Sequence, residues 1–313
     1  MDNLFGVLLG TNFWFSVIRV TTPVLFPSIA ALITDKAGIM NISMEGTMLF
    51  SALAGVIVSA LTQSAWIGLL GALCAGMLLS FILACFTLEL KTDVILGGIA
   101  INLFADGGSI FILYMLTKDK GTSVSLPSKV LPNLHIPFLK DIPVLGNVLS
   151  GHSVLTYIAV LTVFLVFYLM NKTPLGLQMQ AVGENYKAAQ SVGIRVKRIQ
   201  YISLVLSGLI AGFGGAYMSM SYLPHFSRNM TSGRGWIALA AEAMGHGHVI
   251  ATSLTALLFG FADAFANRLQ MFNLPAELVG IIPYTATVFG LLLYVMKKRR
   301  KPPLPANQPR PSR

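Results

Sequence analysis

Residues 171–200 read NKTPLGLQMQAVGENYKAAQSVGIRVKRIQ, a polar run set between two long apolar ones. Lys172, Lys187, Arg195, Lys197 and Arg198 fall inside it. Pro174 and Gly176 are expected to break the preceding helix. From Leu177 to Val192, residues Leu177, Ala181, Ala188, Ala189 and Val192 set up a weak apolar stripe at helical spacing, interrupted at Gly183. Two accounts fit such a segment. A basic loop between membrane spans obeys the positive-inside rule and need do nothing more. A docking helix would instead offer the small residues Ala188 and Ala189 to the groove of a soluble partner, with Gly193 ending the helix.

Both accounts presuppose a membrane, and composition supplies it. Hydrophobic residues make up 55% of the 313 and charged ones 11%, against about 25% charged in soluble domains. Apolar stretches near the length of a membrane span recur along the chain. They lie at 12–33, 46–62, 66–88, 95–117, 152–171, 200–222, 233–245, 249–267 and 277–296. The expected fold is an all-α polytopic membrane protein with about nine transmembrane helices, the count ranging from eight to ten. The seventh stretch is too short for an ordinary span and is expected to be broken or re-entrant. One transmembrane domain then covers 1–296, with 118–150 and 171–199 as its long loops and 297–313 as a basic, Pro-rich tail. No separate soluble domain is left room.

The net charge of +10 does not point to nucleic acid. The run Lys297-Lys298-Arg299-Arg300-Lys301 directly follows the last apolar stretch, where basic residues fix topology and meet anionic lipid. The tail beyond it has a disordered composition. No basic region precedes the first apolar stretch, since the first basic residue is Arg19, so a cleavable signal peptide is not expected. Arg19 either snorkels outward or marks an interfacial start to the first span. Cys74 and Cys85 fall in one predicted helix, about 16 Å apart at its rise per residue, too far for a disulfide. They are expected to pack. Counting Lys and Arg loop by loop puts 171–199 and the C-terminus in the cytoplasm, and 118–150 and the N-terminus outside. The prolines at 127, 132, 137 and 143 suggest an ordered external lid.

Polar groups inside apolar stretches are costly and mark either function or mutual pairing. Asp106 lies midway along the fourth stretch with Asn102 one turn earlier, and Gly107-Gly108 are expected to loosen the helix there. Asn41 and Glu45 stand four apart at a helix start, where Asn41 or Ser43 can cap and the macrodipole favours Glu45. Asp263 and Asn267 repeat the spacing before Arg268, as a local Asp–Arg pair or a pathway mouth. Gly208, Ala211, Gly212, Gly214, Gly215 and Ser219 give the sixth stretch a small-residue face for close helix packing. His246-Gly247-His248 lacks the further ligands a metal would need. The segments Gly38–Gly46 and Thr231–Gly235 each follow a long stretch and open another. With opposite orientations they suggest an inverted repeat with interrupted helices.

Lys187-Ala188-Ala189-Gln190-Ser191-Val192-Gly193 resembles the Glu-Ala-Ala-x-x-x-Gly loop of ABC importer permeases, with Lys in the Glu place. Ala181–Ala189 resembles the coupling segment of permeases for branched-chain amino acids, simple sugars and nucleosides, closest to the nucleoside and simple-sugar branch. Gly38–Gly46 matches the Gly-x-x-Asn-Ile-x-x-Glu-Gly motif of that family, and Gly233–Ala241 and Phe259–Asp263 are similar to the same branch. Glu242–His248 departs from it, where relatives usually carry an apolar run. The resemblance implies a permease subunit, not an enzyme and without cofactor, in a bacterial cytoplasmic membrane. It implies a cytoplasmic ATPase pressed against Gly183, Glu184, Asn185, Lys187, Ala188, Ala189 and Gly193. It also implies a homologous second permease and an external binding protein that carries most of the specificity. The translocation path is assigned to Asn41, Glu45, Asn102, Asp106, Arg234, Trp236 and Asp263, for a nucleoside or a simple sugar. No G-x-x-x-x-G-K-[ST] motif occurs in the chain. A self-sufficient secondary transporter is the alternative, and it would need no docking helix.

Orientation is directly testable in a background lacking Cys74 and Cys85. Ser128→Cys is expected to react with an impermeant thiol reagent in intact cells and Ser191→Cys is not. The reverse pattern would overturn the topology.

Overall fold

Two prolines inside the first long helix set up the frame. The computed structural model describes residues 10–135 and 145–269, together with Thr285. Helix α1 (Thr11–Lys36) contains Pro23 and Pro27. Pro23 has no N–H to give the Arg19 carbonyl four residues back. The Tyr217 hydroxyl donates to that carbonyl instead, at 2.9 Å. The Arg19 side chain donates to the Tyr222 carbonyl at 2.8 Å and lies 4.7 Å from the centre of the Tyr222 ring. Arg19 is thus exposed but tied to the end of the sixth long stretch, and α1 runs through it as a continuous helix.

After α1 the chain leaves the helix over 37–43 and resumes in α2 (Met44–Thr62). Then follow α3 (Ala65–Ala84), continued by a π turn at Cys85–Glu89, and α4 (Val94–Thr117). A short α5 (Leu145–Leu149) precedes α6 (Val154–Lys172). The polar run holds α7 (Pro174–Glu184) and α8 (Tyr186–Ser191). Last come α9 (Val196–Tyr217) with a π turn at Met218–Tyr222, α10 (Arg234–Gly245) and α11 (Val249–Leu269). Seven of the described helices are long and apolar enough to cross a membrane: α1, α2, α3 with its π turn, α4, α6, α9 with its π turn, and α11. Among the described residues there is no strand, only two isolated antiparallel bridges. The predicted stretch at 277–296, the tail at 297–313, Pro137 and Pro143 lie outside the described residues, so the count of about nine stands at seven spans here.

The small-residue face of α9 packs as its spacing suggests. A Cβ on Gly208 would strike the carbonyl of Gly76, and one on Gly76 the carbonyl of Gly208, so α3 and α9 cross backbone against backbone. Ser219 adds a bond to the Ala52 carbonyl at 2.7 Å. Two other expectations need correcting. Gly107 and Gly108 do not open α4, which stays helical from Val94 to Thr117. Cys74 is exposed rather than packed, and Cys85 accepts from the Tyr201 hydroxyl at 3.8 Å.

The two ends of the bundle differ. At one, the described part of 118–150 is pinned down: Ser123 N donates to Phe226 O, Leu131 N to Met220 O, and the Gln63 amide to Pro127 O. His152 stacks on Phe15 at 4.0 Å there, and burial lowers its pKa below the usual imidazole value, helped by the nearby Arg19 charge. At the other end lie α7 and α8. Pro174 does not simply end α6; it is the first residue of α7, whose cap is Thr173 accepting from Gly176 N at 3.2 Å. The single docking helix expected over 177–192 is two helices, because the Asn185 side chain accepts from Lys187 N and Ala188 N and starts α8 afresh. Gly193 closes it at φ +86°, as a left-handed terminator should.

Candidate functional site

Near the middle of the bundle two helices begin where a membrane interior would leave their first N–H groups without partners. One is α2. Asn102 lies eight residues into α4, about 12 Å from its start, and its Oδ1 accepts from Gly46 N at 2.7 Å while its Nδ2 donates to Ile42 O at 3.0 Å. The other is α10. The Glu45 carboxylate accepts from Gly233 N at 2.8 Å and from Gly235 N at 2.7 Å, one oxygen to each. Glu45 also sits in the first turn of α2. One negative charge thus lies at the positive ends of two helix dipoles.

From this meeting point the helices leave in opposite directions. The far part of α2 reaches the pinned segment, where the Ser59 hydroxyl donates to Lys129 O at 3.0 Å. The 12 residues of α10, roughly 18 Å, run instead towards α7 and α8. There Gly247 packs against the Lys36 side chain, and the buried Glu242 lies close to Asp35 and Lys36. Lys36 and Gly38 in turn touch the backbone of Gly183 in α7. This 12-residue helix is the short seventh stretch, and it does not cross.

A cavity of about 430 Å³ opens beside the junction, lined by Glu45, Gly46, Leu49, Asn102, Asp106, Arg228, Asn229 and Thr231. Three of the sequence-assigned path residues, Glu45, Asn102 and Asp106, are therefore brought together on its wall. The others are not. Asn41 is fully buried, donating to the Ser80 and Ser207 hydroxyls at 3.3 and 3.1 Å and accepting from Ser43 N and Oγ. It ties the break to α3 and α9, and Ser43 occupies the cap position without capping through its side chain. Arg234 pairs with Asp263 across 3.4 Å, joining α10 to α11, whereas the sequence had weighed only the local Arg268 as its partner. Trp236 is exposed and does not line the cavity.

Arg228 and Asn229 are lining residues that the sequence did not single out, and Thr231 was read only as the start of a repeat segment. Their one local signal is a tight turn. Asn229 and Ser232 both have left-handed φ (+53° and +46°), followed by Gly233 at +79°, an uncommon series for residues with a Cβ. The turn delivers Gly233 N to Glu45 and turns Thr231 inward.

Of the residues assigned to docking, Glu184, Asn185, Lys187, Ala188 and Gly193 are exposed. Ala189 is buried against its own chain. Leu177, Tyr186 and Val192 are large apolar side chains exposed on the same segment. The His246 and His248 rings face the Ala243 and His246 carbonyls.

The family model for the permease component of branched-chain amino acid transport systems matches residues 13–296. The guanosine ABC transporter permease protein NupQ of Bacillus subtilis is 31% identical, over 87% of this chain and 88% of the relative. The nucleoside ABC transporter permease protein NupC of Lactococcus lactis is 29% identical, over 88% and 90%. Among solved structures, PsaBC from Streptococcus pneumoniae in complex with Fab superposes with a TM-score of 0.55 at 14% identity, over 94% of this chain and 95% of that one, a likeness of fold.

Two charge-assisted bonds from helix N–H groups are worth about 1.5–3 kcal/mol each. Glu45→Ala is therefore expected to destabilise the protein by at least about 3 kcal/mol and to lower its melting temperature in detergent by several degrees. Glu45→Gln keeps one acceptor and should fall between. Melting of Glu45→Ala at the wild-type temperature would contradict the clamp.

Proposed function

The chain belongs to the permease-component family of branched-chain amino acid transport systems and is a permease subunit of an ABC transporter, and from that premise we propose that it imports a nucleoside. A simple sugar is the second substrate class. The observation that supports this most is the cavity at the meeting of two interrupted helices. Interrupted helices at mid-depth are how transporters present polar groups to a solute. The cavity is small enough for one modest solute, within the roughly 300–1,000 Å³ of small-molecule sites. It mixes one basic and two acidic side chains with neutral polar ones, and an ion of either sign gains little there.

In this proposal the break after α1 and the break before α10 are the two halves of an inverted repeat. The α7–α8 end faces the cytoplasm, 118–150 faces outside, the C-terminal tail is cytoplasmic, and the membrane is the bacterial inner one. A separate ATPase docks on Glu184, Lys187 and Ala188, with Tyr186 and Val192 as apolar anchors. The exposed Gly183, Asn185 and Gly193 shape the backbone of that surface. A second, homologous permease covers the exposed side of α4, where Asp106 stands among Leu103, Phe104 and Phe111. An external binding protein delivers the solute. Asn41, Arg234 and Asp263 support the path rather than line it.

Coupling is tested at Ala188, because Ala189 packs inside its own chain and enlarging it would disturb folding as well. Ala188→Trp should overfill a close-packed interface at about 1–3 kcal/mol, roughly a 5- to 150-fold weaker hold on the ATPase. The variant is expected to accumulate normally in membranes while ATP-driven uptake and pull-down of the ATPase fall together. Wild-type pull-down and transport would leave 171–199 as a basic loop and favour a self-powered transporter.

A further inference from the structure

The cavity side chains divide into those already spent on the protein and those left for a ligand. Both oxygens of Glu45 are taken by Gly233 N and Gly235 N, and the amide of Asn102 is taken by Gly46 N and Ile42 O. These two are scaffold. The Asp106 carboxylate, the Arg228 guanidinium and the Asn229 amide have no hydrogen bond or ion pair among the described residues. The Thr231 hydroxyl also lacks a partner, although Thr231 is 0% exposed. A buried hydroxyl without a partner carries a desolvation penalty that a ligand atom in the cavity would remove.

We propose that Asp106 is the acceptor for a vicinal diol on the transported solute, with Arg228, Asn229 and Thr231 completing the recognition set. This rests on the cavity being the solute path of a nucleoside importer. An ionised carboxylate only accepts, and its two oxygens suit two hydroxyls on adjacent carbons, as an acidic side chain suits ribose hydroxyls in nucleotide sites. A guanidinium only donates and seeks carbonyl oxygens or unprotonated ring nitrogens. With Glu45 satisfied by helix N–H groups, the free pair Asp106 and Arg228 carries no net charge, which selects a neutral solute. Leu49 gives apolar contact. A ribonucleoside answers each demand: its 2′,3′-diol donates, its base accepts, and it is uncharged. A 2′-deoxynucleoside offers Asp106 one hydroxyl instead of two.

The test uses the whole importer in proteoliposomes, with its ATPase, partner permease and binding protein, and measures uptake of guanosine and 2′-deoxyguanosine. The binding protein is the same throughout, so its own preference cancels when ratios are compared between variants. Asp106→Asn should lower the guanosine-to-deoxyguanosine uptake ratio by about five-fold or more, while the variant still co-purifies with the ATPase. Arg228→Gln keeps the carboxylate and should lower uptake of both nucleosides equally, at the wild-type ratio. An Asp106→Asn ratio within about two-fold of wild type, an equal loss of both substrates, or a collapse of the ratio in Arg228→Gln would overturn the assignment and leave the importer function standing. If the wild-type importer carries neither nucleoside, the nucleoside function itself fails and the diol site falls with it.

Discussion

Glu45 carries the constraint on which the interior of this protein depends. A helix that begins inside a membrane domain exposes N–H groups that water cannot reach, and each one left bare is expensive. For α10 the acceptors come from Glu45 on α2, and for α2 one comes from Asn102 on α4. The charge on Glu45 is costly in an apolar setting unless compensated. Two helix N-termini and two short hydrogen bonds supply that compensation. Removing the carboxylate would leave the start of α10 unsupported, and the cavity beside it would lose part of its wall.

Much of the architecture was legible because apolar length and small-residue spacing are strong signals. The long stretches became spans, the glycines of α9 became crossing points, and the brevity of 233–245 foretold a helix that does not cross. The site was half legible. Asp106 and Asn102 share a face by local spacing, and they do share the cavity. Thr231 was seen only as the start of a repeat segment, and Arg228 and Asn229 were hidden because a polar run between two apolar stretches reads as a surface loop. Only the fold shows that its left-handed turn reaches inward. Asp263 was read against its neighbour Arg268, whereas the salt bridge to Arg234 spans 29 positions in sequence. The capping role of Asn185 was hidden for a different reason: cap residues compete with helix continuation only through a local geometry that periodicity does not register.

The helix that begins at the cavity ends against the α7–α8 segment. α10 is fixed by Glu45 at its start and touches Lys36 through Gly247 just past its far end, while Lys36 and Gly38 lie against Gly183 of α7. In the proposed coupling, a shift of α7 and α8 would have a short, packed route to the cavity wall, of the kind that hinge and shear motions use. The exposed face of α4 leaves Asp106 uncovered by this chain, which is where a second permease would complete the enclosure.

The account stands on the cavity being where the solute passes. The most direct measurement is the labelling rate of Asn229→Cys by an impermeant thiol reagent in the assembled, otherwise cysteine-free importer. With the binding protein delivering guanosine, labelling at position 229 should slow several-fold while labelling at Ser128→Cys stays unchanged. A rate at 229 that is indifferent to nucleoside would place the path elsewhere and contradict the account.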